Sequence, residues 1–353
     1  MEVKTIEIKN FRNLNFVYLK PSENINFFVG ENAHGKTNLI EAIYFLSIGK
    51  SFRTNNFRNL LNDKKKSTIK CSVLHNNVHY NLKIDIDCDK KIEVNGKKST
   101  FKDISNFFKV LIYYPSEINF LLKSPSLRRN LIDKSIFLLD VNYADLHLDY
   151  LKCLKNRNIC LKNKKDDYIW KEKIIDLSYE IVKKRISYIE EINSIFSSFD
   201  DFIEGENYQI KYKKVDISNY RNNLENDFKK IEKNEDKIGY TLLGQHTDNI
   251  SFIINDMSLD NYGSEGQKKT FLLLYKYAQL LNFYNNNKYK PLLIIDDATS
   301  EIDSKRELFL IDNLLSNCNQ SFITSLKKPS FYKDGDKIFF IRDGKIIDTK
   351  GNS

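Results

Sequence analysis

The chain has no apolar stretch approaching the roughly 18 residues that a bilayer-spanning helix requires. Its longest candidates, such as Pro291 to Ile295, stop at a carboxylate, Asp296. No membrane association through a helical span is expected. Met1-Glu2-Val3-Lys4 opens directly on strand-like alternation with no secretory h-region, which points to the cytoplasm. Cysteine is sparse: Cys71, Cys88, Cys153, Cys160 and Cys318 are odd in number and form no C-x-x-C. They read as reduced thiols rather than a disulfide framework. Glycine and proline are both missing from Arg128 through Phe199, and glutamine is missing between residues 38 and 208. The first absence removes turns and leaves a helical landscape. Charge is not strongly of one sign: 56 Lys+Arg against 47 Asp+Glu gives +9. A basic balance favours an anionic partner, nucleic acid being the usual one. The positive residues are nevertheless scattered as pairs, Lys97-Lys98, Lys164-Lys165 and Lys213-Lys214 among them, as on ordinary solvated faces. Arg128, Arg129, Lys65 and Lys66, clustered cations, are the candidates for a DNA-contacting face.

What is present is organised around Gly30-Glu31-Asn32-Ala33-His34-Gly35-Lys36-Thr37, a complete G-x-x-x-x-G-K-T. Ile25 to Val29 reads as a short apolar strand entering it, and Leu39, Ile40, Ile43 and Leu46 recur at helical spacing after it. Strand, glycine loop and helix form the arrangement a phosphate cradle needs, with backbone N–H groups converging at a helix N-terminus. Lys36 reaches the β- and γ-phosphates and the Thr37 hydroxyl is placed on Mg²⁺. Gly30 through Thr37, with Asn38, are the residues assigned to ATP.

At 353 residues the length suits about two domains. Residues 3–8 and 14–19 read as an antiparallel pair. Thr68 to Asp87 alternates around Asn76-Asn77 as a hairpin, Asn95-Gly96 turns another, and Val110 to Tyr114 is an apolar strand closed by Pro115. Cys71, His75 and His79 suggest zinc only superficially, because the histidines flank the turn and no second ligand pair follows. Arg53, in the turn Gly49 to Thr54, either reaches a bound phosphate or caps local carbonyls. Apolar spacing along Leu139, Tyr143, Leu146, Tyr150 and Leu154, and again from Ile174 to Phe196, predicts helices packed as a hairpin or small bundle. The stripe is too short for a long coiled coil. Residues 219–237 read as a polar helix or loop, and Asn282 to Lys290 as an Asn-rich surface connection.

Pro291 to Ile295 then ends in Asp296-Asp297. A buried parallel strand reads as a continuous apolar run, and its C-terminal end is where ligands sit in an open α/β sheet. Asp296 is assigned to Mg²⁺ and Asp297, one residue on, to orienting or deprotonating the attacking water. Upstream, Ser264, Gly266 and Gln267 open an amphipathic helix carrying Phe271, Leu274, Tyr275, Ala278 and Leu281. Serine and glycine at a helix N-terminus make a second anion site.

Ser264-Glu265-Gly266-Gln267 before the aspartates, and Ser300-Glu301-Ile302-Asp303 after them, resemble the signature and D-loop of an ABC-type ATPase. That resemblance implies that the signature of one protomer caps the γ-phosphate held by another, so ATP joins two heads. The chain further resembles the RecF family of recombination proteins in Gly30 to Ile43, Ser51 to Thr54, Tyr114-Pro115 and Ser124-Pro125 with Arg128-Arg129 and Asp133. Lys155 to Asn158, Gly244 to Asp248, Ser264 to Gln267 and Asp296 to Asp303 complete the set, in the family's order and spanning nearly the whole chain.

The resemblance implies an α/β fold: an ABC-type ATPase head with a mixed β-sheet and P-loop helix, plus a mainly helical second lobe without long arms. The ATPase lobe is placed at 1–117 and 287–353 and the helical lobe, carrying the signature, at 118–286. It also implies a weak DNA-stimulated ATPase that dimerises with ATP on duplex DNA at single-strand gaps or junctions, cooperates with RecR, helps to load RecA and serves the SOS response. The chain departs from the family where G-P-H-R-D is Gly244-Gln245-His246-Thr247-Asp248. A Q-loop glutamine is absent, leaving Glu117 or water to complete the metal shell. Glu265 stands where transporters have Ser or Gly, and Thr324-Ser325 where they have a switch histidine. These last departures, with the long helical insert, weigh against the alternative reading as an ABC transporter subunit. A small-molecule kinase has no use for a signature, and a nuclease of the overcoming-lysogenisation type needs an acidic domain after the ATPase, for which Ser353 leaves no room.

Overall fold

The computed structural model describes residues 1–54, 56–62, 66–199, 205–212, 215–297, 305–328 and 333–351. Lys65 and the Ser300–Asp303 segment lie outside the described residues. The chain forms two compact units, one from Met1–Glu117 with Leu272–Ser353 and the other from Ile118–Phe271. The second crossing thus falls at 271/272, within the helix Glu265–Asn287. Among the described residues no helix is long and apolar enough to cross a membrane.

The first unit carries two six-stranded sheets. In the mixed sheet the order is Lys345–Lys350, Lys337–Arg342, Ile25–Val29, Ser321–Ser325, Leu292–Ile295 and Val110–Tyr113. Among the described residues only the Lys345–Lys350 edge is antiparallel; every other pairing is parallel. Leu292–Ile295 and Ser321–Ser325 are buried along their whole length, as covering on both faces demands. The second sheet is antiparallel, in the order Leu14–Leu19, Glu2–Phe11, Ser67–His75, Val78–Ile86, Lys90–Val94 and Lys97–Lys98. Its inner face, with Ile6, Ile8, Ile69 and Ile84, shares one core with Leu39, Ile43 and Leu46 of the helix Lys36–Ile48 and with Ile294 and Phe322 of the mixed sheet. The phosphate-loop helix is therefore held by both sheets.

Asn282 to Asn287 is helical, not a surface connection. Asn282 and Phe283 are buried, and Phe283 meets Tyr289 edge-on at 5.2 Å. The Asn286 and Asn287 amides donate to the carbonyls of Asn282 and Phe283, which closes the last turn. Burial of Phe283 overrides the weak helix propensity of asparagine.

The second unit contains the helices Pro125–Leu139, Tyr143–Lys162, Tyr168–Ser197 and Tyr220–Ile238 with the three-stranded sheet Met257–Ser258, Ile250–Ile254 and Tyr208–Tyr212. Its interior holds ions. Arg185, 1% exposed, makes a bidentate pair with Asp133, both contacts at 2.8 Å, and donates to the Gln245 carbonyl at 2.9 Å. Tyr143 donates to the same carboxylate at 2.7 Å. Arg157 bridges Asp167 (2.7 Å) and Glu235 (2.6 Å) with its guanidinium over the Phe228 ring. The Gly244–Asp248 segment closes this centre: an added Cβ on Gly244 would stand 2.6 Å from the Tyr150 hydroxyl, and Asp248 accepts from the Tyr212 hydroxyl.

Burial pushes the Asp133 carboxyl up, but hydrogen bonds from His147 and Arg185 outweigh it and hold the group well below the usual carboxylate range. A depressed folded value stabilises the fold at pH above about 4 and is lost as pH falls through it. Removing one partner of such a buried pair costs about 3–5 kcal/mol. Asp133→Ala is expected to lower stability by that amount at neutral pH and to flatten the acid limb of the stability profile, measured by urea denaturation from pH 7 to pH 2. An unchanged midpoint would show that Arg185 finds other compensation.

Candidate functional site

The parallel register ends three strands close to one level. Ser325 pairs with Val29 and Ile295 with Ile323, so Gly30, Thr324 and Asp296 emerge together at the C-terminal edge of the sheet. Gly30 is required there because an added Cβ would lie 2.3 Å from the Ile341 carbonyl oxygen. Gly35, with φ of +103°, turns the loop into the helix. The next residue, Lys36, folds back across the loop and donates to the carbonyls of Gly30 (2.5 Å) and Glu31 (2.8 Å). Burial lowers its ammonium from the ordinary lysine value, although Asp297 and Asp296 pull it the other way.

Around the loop, Asn32 and Ala33 are exposed. His34 Nδ1 accepts from the Asp343 N–H at 3.0 Å. Asn13 donates to the Ala33 carbonyl at 3.2 Å, and Asn38 donates to Asn13 at 2.8 Å. Beneath the loop, the fully buried Glu41 is gripped by Arg12 at 2.5 and 2.7 Å and accepts from the Ser51 hydroxyl. Arg53 joins this network at Asn38 Oδ1 (2.7 Å) and Glu41 (3.4 Å) rather than capping carbonyls.

Thr37 donates to Asp296 Oδ1 at 3.1 Å, and Thr324 donates to the same oxygen at 2.6 Å. The Thr324 hydroxyl also accepts the Asp297 N–H at 2.7 Å. Burial pushes the Asp296 carboxyl above the usual range, with these two hydroxyls opposing. Asp297 is exposed and sits in the left-handed region at φ 57°. In the sequence alone Thr324 stands out only as one of the residues where transporters have a switch histidine. Its place on the strand beside Asp296 is the signal that identifies it.

Glu117 forms a buried ion pair with Lys276 at 2.8 Å. In the second unit, Ser264 and Gln267 cap the helix Glu265–Asn287 reciprocally. The Ser264 N–H donates to Gln267 Oε1 (2.8 Å) and the Gln267 N–H to Ser264 Oγ (3.2 Å). Gly266 is exposed, and an added Cβ would meet nothing nearer than Ser264 Oγ at 4.0 Å. Arg128 and Arg129, the clustered cations considered for a DNA face, are half-buried and donate to the backbone carbonyls of Ile250 (2.6 Å) and Asp248 (2.7 Å). Lys66 pairs with Asp85 at 3.0 Å.

The family model described as RecF/RecN/SMC N terminal domain matches residues 2–346. A "DNA replication and repair protein RecF" from Geotalea uraniireducens is 33% identical over 98% of this chain and 100% of its own. Another of that name, from Lachnospira eligens, is 31% identical over 98% and 99%. A solved "recombination mediator protein RecF-ATP in RecFOR pathway" superposes with a TM-score of 0.89 at 32% identity, covering 99% of both chains. An SMC head bound to the C-winged helix domain of ScpA reaches a TM-score of 0.59 at 14% identity, a likeness of fold alone.

Thr324→Val is expected to destabilise the first unit by about 1–3 kcal/mol, because it leaves buried polar groups short of partners, whereas Thr324→Ser restores most of the loss. Urea midpoints of the three proteins check this. A valine variant as stable as the parent would remove the bridge from the account.

Proposed function

The chain belongs to the RecF family, and from that premise we propose that it is an ATP-dependent DNA-binding protein of recombinational repair and replication-gap processing. The observation that carries the proposal is the meeting of Lys36, Thr37, Asp296 and Thr324 at one sheet edge. Lys36 there is bonded to neutral carbonyls, and Asp296 is a half-buried carboxylate held by hydroxyls. A cation whose hydrogen bonds among the described residues go to carbonyls fits an incoming polyphosphate, and a half-buried carboxylate beside a threonine hydroxyl fits a divalent cation. Bound Mg²⁺ supplies neutralisation of charge on the transferring phosphoryl group.

The chain's own residues divide the remaining work. Gly30 to Asn38 hold the triphosphate. Thr37 and Asp296 hold the metal. Asp297, exposed and with a left-handed backbone, orients or deprotonates the attacking water. Ser264, Gly266 and Gln267 lie on a capped, exposed helix N-terminus where nothing in this chain's own packing requires glycine. They cap the triphosphate held by a second copy, so ATP joins two copies on DNA and hydrolysis releases them. The relatives' place in the RecFOR pathway supports gapped duplex as the DNA and RecR as the protein partner. Support of RecA loading, a part in the SOS response and a cytoplasmic location follow from the same reading. The transporter reading is set aside, because the relatives matched along their full length are repair proteins.

Lys36→Met is expected to abolish ATP binding or turnover without unfolding the protein, checked by nucleotide binding and a thermal melt. Ser264→Arg is expected to keep ATP binding by the single copy but to lose ATP-dependent dimers and turnover, read by light scattering. A Ser264→Arg protein that still dimerises with ATP would refute the capping role.

For DNA, six to ten phosphate contacts predict a loss of about 10³–10⁵-fold in affinity between 50 and 200 mM salt. Binding should tighten with ATP, since the coupling is reciprocal. Salt-independent or ATP-indifferent binding would remove the clamp while leaving the ATPase reading in place.

A further inference from the structure

The outer face of the antiparallel sheet is not used by the nucleotide site. Strand alternation places Val17 and Leu19 in the core and turns Phe16 and Tyr18 outward, where they are 52% and 48% exposed. Register carries the same face across the sheet. Phe16 lies opposite Lys9, then Thr68, Asp85 and Lys91. Tyr18 lies opposite Glu7, then Lys70, Lys83 and Glu93, with Lys98 beyond. Directly paired residues share a face, so the open side presents two aromatic rings along one edge and a field of lysines beside them. Counting Lys66, which pairs with Asp85, six lysines meet three carboxylates, Glu7, Asp85 and Glu93, for a net of three positive charges.

Single exposed apolar residues need no explanation. Two aromatics at i and i+2 on the same edge of a basic open sheet are a different case. They stand about 6.8 Å apart at the usual strand rise, far enough for each ring to take its own base. The Lys9 ammonium already lies 5.4 Å from the Phe16 ring centroid, so a base stacked on that ring brings its phosphate within a cation's reach. Glu7 is shared between Lys9 (3.1 Å) and Lys70 (3.2 Å), and Asp85 between Lys66 (3.0 Å) and Lys83 (3.2 Å). Each carboxylate thus positions two lysines without neutralising both.

We propose that this face is a stacking platform for a single strand of nucleic acid, with Phe16 and Tyr18 taking unpaired bases and Lys9, Lys70 and Lys83 taking the backbone. Aromatic rings with flanking cations are the general means of holding single strands without sequence preference. A duplex, whose bases are already stacked, offers these rings nothing. The platform takes its ligand class from the nucleic-acid reading above but requires neither ATP nor a second copy. It therefore stands or falls separately from the clamp.

The test is fluorescence anisotropy with labelled oligothymidylate and with a blunt duplex of equal length, without ATP, comparing the parent chain with Phe16→Ala/Tyr18→Ala. Loss of two stacking contacts is expected to weaken oligothymidylate binding at least about thirtyfold and to leave blunt-duplex binding and ATP binding unchanged. Phe16→Trp is expected to retain single-strand affinity and to show quenching of the new indole by oligothymidylate. A double alanine variant that binds oligothymidylate like the parent overturns the proposal. So does an equal loss on blunt duplex, an unquenched indole, or a parent chain with no affinity for the single strand.

Discussion

The register of the parallel strands is the constraint on which the rest depends. Ile25–Val29, Ser321–Ser325 and Leu292–Ile295 are buried runs whose pairing ends them at nearly one level. That ending delivers a glycine loop, a threonine and a carboxylate to a single edge. Gly30 can pass the Ile341 carbonyl only because it has no Cβ, and Thr37 reaches Asp296 only because the helix behind it is fixed by two sheets. A slip of one residue would turn each side chain to the other face and separate the lysine from the carboxylates. The hydrophobic core is in this sense part of the site, since it sets the positions at which chemistry emerges.

Elements whose cause is local were legible in the chain itself. The glycine loop, the Asn76-Asn77 and Asn95-Gly96 turns and the apolar run before Asp296 carry their own backbone or burial signal, and each stands where periodicity placed it. The α/β head with a helical second lobe is what the family resemblance implies, and the solved RecF-ATP protein shares that fold; helical spacing by itself indicates only the packed helices of the second unit. Residues whose cause is distant were not legible. Arg128 and Arg129 read as clustered cations, yet they donate to carbonyls 122 and 119 residues away, Arg128 also to the nearby carbonyls of Leu121 and Leu122. Thr324 becomes meaningful only once its strand is seen beside Leu292–Ile295. Asn282 to Asn287 misled for the opposite reason: a polar composition suggested a loop, and one buried phenylalanine kept the helix going.

The second unit shows a related division. Helical spacing reveals that Tyr143–Lys162 and Tyr168–Ser197 are helices but not that their interior carries Arg185 with Asp133 and Arg157 with Glu235. Buried ion pairs contribute little net stability against an apolar isostere and are costly to break. Their effect here is to fix where Gly244–Asp248 runs, with Gln245 replacing the family's proline and still presenting its carbonyl to Arg185. Thr247, in place of the arginine, donates to the Gly244 carbonyl at 2.9 Å. The Thr247 departure is thus accommodated within the unit's own hydrogen bonding, whereas the Gln245 side-chain oxygen is buried with no hydrogen-bond partner among the described residues.

The central claim is that one nucleotide site is completed by two copies of the chain, the cradle from one and the Ser264–Gln267 cap from the other. The most direct test mixes Lys36→Met protein with Ser264→Arg protein, each inactive alone, and follows ATP turnover against the mixing ratio. The mixed dimer contains one site with an intact cradle and an intact cap, so the account predicts that turnover reappears and peaks near equal amounts. Turnover that stays absent at every ratio, while both proteins remain folded, would contradict it.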